Sequence, residues 1–371
     1  MNFSPNELQG MLQDSAQAYA ADRADYGRNR SQAEGELGYS AEDWATMAEL
    51  GWIALQLPEE HGGIAGGPVE IMILMQALGQ IGSLEPFLST AVIGARAISR
   101  YGSAAQRRDL LPPLASGKLC LAFACSDPGA AFESKSVAIR AAAAEGGFLL
   151  DGAVPCVLDA KTADMLIVAA RDEAEELVLF LVDAGAQGIE CRHFERLDGG
   201  QASHLRLNRV KASKADWLGD RGLASAIVAD LTRLATAALC AEALGAMQAL
   251  YDQTLEYLKV RKQFGRTIGQ FQVLQHRQVD MLIALEQARS LVMAACMALA
   301  EDLPEADKLL SMAKVTIGRA GRSVAQGAVQ LHGGIGMTAE LKVGAYFKRL
   351  TVIDALFGSA DQRLRALAGI D

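Results

Sequence analysis

Beyond Leu223 the chain runs to Asp371 with a single proline, Pro304, and no other feature constrains its fold as much. A proline in a helix interior removes a hydrogen bond and costs about 3 kcal/mol, so a long proline-poor stretch is free to form long helices. Apolar residues there recur with helical period over about 222–262, 270–300, 305–331 and 340–368, which predicts four long helices. Pro304 follows Glu301-Asp302-Leu303, where it can open the third helix at its first position. Residues 1–118 carry six of the nine prolines, and their periodic segments (about 6–24, 40–54, 68–100 and 104–116) read as amphipathic helices with short breaks. From Lys118 to about Asp216 the pattern changes to short apolar runs at 119–125, 136–141, 148–150, 165–170, 177–182 and 204–207, separated by Gly, Asp and charged turns. That spacing predicts a small β-barrel or sandwich. The expected fold class is therefore α+β: a helical domain over 1–117, a β-domain over 118–217 and a C-terminal four-helix bundle over 218–371.

Composition narrows the function classes. With 51% hydrophobic and 21% charged residues the chain reads as a soluble globular protein. Its most apolar stretch, 223–250, is interrupted by Asp230, Arg233 and Glu242, so it is expected to be a buried helix rather than a membrane span. The N-terminal Met-Asn-Phe-Ser-Pro has neither a basic start nor an apolar h-region. The six cysteines are scattered without a Cys-x-x-Cys, so neither a disulfide framework nor a zinc site is expected, and a reducing cytoplasmic setting is. A net charge of −9 without a basic stripe disfavours nucleic acid or an anionic membrane as the main partner.

Three spaced motifs stand out. They are Leu57-Pro58-Glu59-Glu60-His61-Gly62-Gly63; Arg261-Lys262-Gln263-Phe264-Gly265 with Ile268, Phe271-Gln272 and Gln275-His276; and Gln330-Leu331-His332-Gly333-Gly334-Ile335-Gly336-Met337. Chemically, Arg261 offers a forked cation suited to a pyrophosphate, Phe264 an apolar face for a ring, and paired glycines allow close backbone approach. Read singly, an Arg at a helix end is also a common solvated charge, and Gly-Gly a common turn. In this order the motifs resemble the acyl-CoA dehydrogenase family over nearly the whole chain. The resemblance implies an FAD completed across subunits, an acyl-CoA substrate and a flavoprotein electron acceptor. It places Arg261, Gln263, Phe264, Ile268, Gln272, Gln330, Gly333, Gly334 and Ser359 at the cofactor and Arg233 at the substrate.

The departures from the family pattern are as informative. The stretch that resembles the family's β-domain flavin turn is Ser126-Asp127-Pro128-Gly129-Ala130-Ala131-Phe132-Glu133, which keeps Pro-Gly and loses the hydroxyl-bearing tail. Where the family has Trp-Ile-Thr/Ser-Asn beside the flavin, this chain has Cys156-Val157-Leu158-Asp159, and Leu158 cannot donate a hydrogen bond. Where the family commonly places its catalytic glutamate, in Tyr-Glu-Gly-Thr, this chain reads Leu356-Phe357-Gly358-Ser359. The alternative family location, immediately before an arginine on the helix after the β-domain, holds Thr232 before Arg233. Glu242 lies ten residues further on, about 15 Å by helix rise, and reads as a structural carboxylate. His332 has an unperturbed pKa near 6.5 and could serve as a base, although beside Gly333-Gly334 it reads as a packing residue.

The family's reaction removes an α-proton with a carboxylate while a β-hydride passes to the flavin. A general base contributes about 10²–10⁴-fold, so this chain alone is expected to be nearly silent. It resembles the small, glutamate-lacking subunit of bacterial heteromeric acyl-CoA dehydrogenases acting on bulky acyl chains such as steroid side chains. That includes the stretch Ala241-Glu242-Ala243-Leu244-Gly245 and an end at Asp371 soon after the FAD-contacting segment. The implied assembly is an α2β2 pairing with a Glu-bearing relative. Two alternatives stay open: a homo-oligomeric flavoprotein whose acyl-CoA chemistry needs no α-base, and a non-catalytic scaffolding homologue.

Overall fold

A computed structural model describes residues 4–23, 35–125, 137–338 and 340–369. In chain order it contains α1 (Glu7–Asp22), α2 (Ala41–Glu49), α3 (Pro68–Ile81), a π-helical turn (Leu88–Gly94), α4 (Ala95–Tyr101) and α5 (Ala104–Ala115). Seven strands follow: β1 (Leu121–Ala124), β2 (Arg140–Ala144), β3 (Gly147–Leu158), β4 (Met165–Arg171), β5 (Leu177–Asp183), β6 (Ile189–Glu195) and β7 (Gln201–Ser213). The C-terminal part comprises α6 (Ala224–Val260), a hairpin of β8 (Lys262–Gln263) and β9 (Arg266–Thr267), α7 (Gln272–Ala300), α8 (Ala306–His332), α9 (Val343–Ala355) and α10 (Ala360–Ala368). The helix–strand–helix order expected from periodicity is the observed one. Pro304 lies just before α8, whose N-cap is Glu305 and whose first residue is Ala306, rather than at the helix's first position. Two further expectations are corrected. The segment at 68–100 is not one helix but α3, a break, the π turn and α4; and the segment at 340–368 is broken between α9 and α10.

The first break is held by a distant donor and the second by a local cap. Ser359 caps α10 as half of a capping box, its hydroxyl accepting from the Gln362 amide while the Gln362 side chain accepts from the Ser359 amide. The π turn widens the backbone and frees carbonyls, and the buried Gln56 amide donates to two of them, Ala91 O at 2.6 Å and Val92 O at 2.9 Å.

The chain divides into two compact units, and the division falls within α6. One unit, residues 31–67 and 84–235, is built on a single seven-stranded sheet of order β1-β4-β2-β3-β7-β6 with β5 on β4. β1 and β2 pair with β4 in parallel, and the remaining pairs are antiparallel. Its core alternates inward from β3, β4, β5 and β7 and includes Leu150, Val154, Leu166, Val168, Phe180 and Leu205. β6 escaped the sequence reading because it is an edge strand, mostly exposed on both faces, and so shows no alternation.

The other unit, residues 1–30, 68–83 and 236–371, is helical. α3 and α6 meet backbone to backbone: a Cβ on Gly79 would lie 2.0 Å from the Glu242 carbonyl oxygen, and one on Gly245 would lie 1.9 Å from that of Gln76. The stretch from Ala241 to Gly245 therefore lies at a helix crossing that the glycines Gly79 and Gly245 make possible. Both α6 and α7 are long and apolar enough to cross a membrane, but the most apolar window of α6 is 72% buried inside the protein. In α7 the corresponding share is 39%, and Val273, Val279, Leu282 and Ile283 stand exposed among His276, Arg277, Asp280 and Glu286. All six cysteines are free.

Candidate functional site

α6 ends at Val260 and the chain turns at once into the β8–β9 hairpin, in which Lys262 pairs with Thr267 and Gln263 with Arg266. Its two-residue loop is Phe264-Gly265, with φ of +53° and +78°. Two successive left-handed residues are what a type I′ hairpin turn requires. Glycine takes that conformation freely, whereas for phenylalanine it costs about 1–2 kcal/mol. The strain holds an aromatic ring in solvent: Phe264 is 89% exposed, touching Phe271 only by an edge contact at 6.2 Å. Phe271 in turn carries the Arg266 guanidinium 4.1 Å over its face, which braces the hairpin base.

The second segment begins where α8 stops at His332. Gly333 has φ +66°, and a 3-10 turn runs over Gly333–Met337. A Cβ added to Gly333 or Gly334 would meet no atom within 4 Å, so these glycines border open space rather than packed neighbours. Gly336 differs, because its Cβ would fall 2.9 Å from that of His332. Arg261, Gln263, Phe264, Gln272, Gln330, Gly333 and Gly334 are all exposed, while Ile268 and Ser359 are half-buried. Apart from Ser359, which caps α10 with its hydroxyl, the residues expected to face a cofactor thus lie at the ends of α6 and α8, in the hairpin between α6 and α7 and at the start of α7, without being consumed by the chain's own packing.

His332 is buried, its Nδ1 lies 2.9 Å from the Ala328 carbonyl, and its ring stacks on Tyr257. Burial holds its pKa below the ordinary histidine value. Sequence reasoning placed it as a packing residue but did not find Tyr257, which lies outside the quoted motifs.

Phe357 sits between α9 and α10 in the left-handed region, φ +54°, followed by Gly358 at +93°. Its side chain is buried, and its carbonyl accepts from Arg363 Nη2 at 2.7 Å. Thr232 is buried and Arg233 half-buried. Glu242 is locked by Arg349, whose Nε and Nη2 donate to its two oxygens at 2.6 and 2.7 Å. A bidentate buried pair of this kind leaves Glu242 no role as a mobile base. In the sheet unit, Leu158 ends β3 buried, and Asp159 follows in the left-handed region with its carboxylate accepting from the Ser89 hydroxyl at 2.5 Å. The Ser126-to-Glu133 stretch lies outside the described residues.

Comparison with known proteins gives a consistent result. Residues 6–118 match the model "Acyl-CoA dehydrogenase, N-terminal domain", and residues 220–369 match "Acyl-CoA dehydrogenase, C-terminal domain". Among solved structures, the ChsE4-ChsE5 complex from Mycobacterium tuberculosis contains a chain 26% identical, with TM-score 0.91, covering 100% of this chain and 98% of that one. A variant of the Tcur3481-Tcur3483 steroid ACAD is 30% identical with TM-score 0.87, covering 98% and 97%. PigA with FAD and proline is 26% identical with TM-score 0.89, covering 100% and 98%. Both terminal domains of the sequence and the full extent of the fold agree: this chain belongs to the acyl-CoA dehydrogenase family.

Proposed function

We propose that this chain is one subunit of an FAD-dependent acyl-CoA dehydrogenase, without a base of its own, paired as α2β2 with a related Glu-bearing chain. The observation that carries the reading is Phe357. It occupies, on a left-handed backbone, the place where the family commonly has its glutamate, and a benzyl group cannot take a proton. The second family location holds Thr232, and Glu242 is committed to Arg349. The pairing is supported by the ChsE4-ChsE5 neighbour, a complex of two different chains, and by the exposed apolar face of α7. The steroid ACAD neighbour favours a bulky acyl chain. A flavoprotein acceptor and a cytoplasmic setting complete the proposal.

The residues fit a flavin unequally. At the ends of α6 and α8, the exposed Arg261 supplies a fork for a pyrophosphate, Phe264 an unpacked ring, and Gly333-Gly334 a cradle that a Cβ would fill. At the end of β3, Leu158 supplies no donor. The chain is therefore better equipped to complete a flavin site with a neighbour than to build one alone. Bound there, the flavin would supply hydride acceptance from the acyl β-carbon. The chain's own contribution is to orient and shield it, while α-proton removal belongs to the Glu-bearing relative.

The test is an ultraviolet–visible spectrum of the chain expressed alone and with a related Glu-bearing dehydrogenase from the same genome. Flavin absorbance only on co-expression is the expected result. Absorbance from the chain alone favours a homo-oligomeric flavoprotein, and none in either case favours a scaffold. Two substitutions sharpen the test. Arg261→Ala should weaken flavin retention and leave the melting temperature of the flavin-free chain unchanged, because the contact exists only in the loaded state. Phe264→Asn should do the reverse to the free chain: asparagine tolerates the left-handed turn, so the free chain gains up to about 1 kcal/mol while flavin retention falls. Equal retention in wild type and Phe264→Asn would remove the ring from the site.

A further inference from the structure

The two segments assigned to the flavin are separated by about seventy residues of sequence, yet one aromatic contact joins the helix ends that carry them. Tyr257 is on the last turn of α6, and its carbonyl accepts from the Arg261 amide at 2.9 Å. His332 is the last residue of α8, directly before Gly333. Their rings stack with centroids 4.4 Å apart and planes 25° apart. The Tyr257 hydroxyl also donates to the His332 carbonyl at 3.4 Å, the carbonyl of the peptide that enters Gly333. On the other side His332 Nδ1 meets the Ala328 carbonyl at 2.9 Å; that acceptor requires the proton on Nδ1 and so fixes the ring's orientation. Each ring thus sits at the root of one flavin-facing segment, and each is held by the backbone of its own helix or by the other ring.

We propose that Tyr257 and His332 are positioning residues that set the spacing between the Arg261–Phe264 hairpin and the Gly333-Gly334 cradle, so that one cofactor can meet both. The assignment rests on the proposed flavin site. Neither side chain touches the cofactor in this account. The physical requirement is that two segments without a sequence connection must be held within a few tenths of an ångström to act on one ligand, and a locked second layer is what supplies that. The hairpin makes only a two-pair ladder of its own, and the cradle is a single 3-10 turn bordering open space. Arg266 over Phe271 and the Ile268 amide on the Arg261 carbonyl brace the hairpin, but these contacts do not set its distance from the cradle.

The experiment uses the full chain. Tyr257→Leu removes the stacked ring, Tyr257→Phe keeps it without the hydroxyl, and His332→Gln keeps an amide donor for Ala328 without the imidazole. Hydrogen exchange of the flavin-free chain is read first. Tyr257→Leu should raise exchange together at residues 262–267 and 333–337 while leaving the interior of α8 protected, and Tyr257→Phe should resemble wild type. FAD titration by fluorescence quenching, on the chain or its co-expressed complex, should then show affinity about tenfold weaker for Tyr257→Leu and within about twofold for Tyr257→Phe. If Tyr257→Leu does not fold, His332→Gln is read the same way. Faster exchange in only one segment, or equal loss in Tyr257→Phe and Tyr257→Leu, overturns the positioning role. A wild-type complex that binds no FAD defeats the cofactor reading instead, and the exchange result still decides whether the ring pair spaces the segments.

Discussion

Phe357→Ala and Phe357→Glu are expected to leave turnover of the reconstituted dehydrogenase within a few-fold of the native complex, whereas removing the carboxylate of the Glu-bearing relative should lower it by about 10²–10⁴-fold. The asymmetry follows from where proton abstraction can occur. Phe357 is buried on a left-handed backbone and has no lone pair, so it contributes volume but no base. Restoring a carboxylate at Phe357 supplies one group only; the hydroxyl that the family pattern has at Leu158 is also absent from this sequence. The measurement is steady-state oxidation of a bulky acyl-CoA with an artificial electron acceptor, comparing both variants with the native complex. Full activity from this chain alone would overturn the reading and require a base elsewhere; His332 would be the first to substitute.

Lys314→Glu should destabilise the chain more than any other single substitution considered. Lys314 lies in α8 and is completely buried. Its ammonium donates to the carbonyls of Ile353 and, at 3.2 Å, Asp354, which are backbone acceptors in the last turn of α9. Burial holds its pKa below the ordinary lysine value. The surrounding junction leaves little room to relax: one turn later a Cβ on Gly318 would lie 2.2 Å from Asp354 Oδ1, and that carboxylate already accepts from the Ala360 amide at 3.1 Å. Replacing the amine by a carboxylate sets like partial charges against each other in a dry site, a cost of about 3–5 kcal/mol. Lys314→Met removes the charge and both ammonium hydrogen bonds, but the Ile353 carbonyl keeps the Leu356 amide at 3.3 Å, so the loss is about 1–3 kcal/mol. Urea unfolding midpoints at constant slope should therefore fall in the order wild type, Met, Glu. A Glu variant as stable as the Met variant would mean that the site admits water.

The site was partly legible because its chemistry is carried by local motifs. Arg261-x-x-Phe264-Gly265 encodes a two-residue turn directly, and the structure adds only that Phe264 is held in a conformation suited to asparagine. That Phe357 offers no lone pair for a proton could be read from one position. The break before α10 was also written in the sequence, as Ser359 followed three residues later by Gln362, but continuous helical periodicity on either side masked it. By contrast, nothing local marks Tyr257 or Arg349 as partners of His332 and Glu242, since each pair is separated by some seventy to one hundred residues.

Proline placement and periodicity by themselves determined the order of helices and strands, because helix interruption and side-chain alternation are properties of neighbouring residues. Tertiary structure alone decided three things. A donor from Gln56 stabilised a π turn that no local preference selects. Close passage at Gly79 and Gly245 turned an alanine-rich stretch into a helix crossing. Stacking of Tyr257 on His332 tied two remote helix ends together. Each depends on which distant atom arrives within about 4 Å, and that is fixed by the packing of whole elements rather than by any window of sequence.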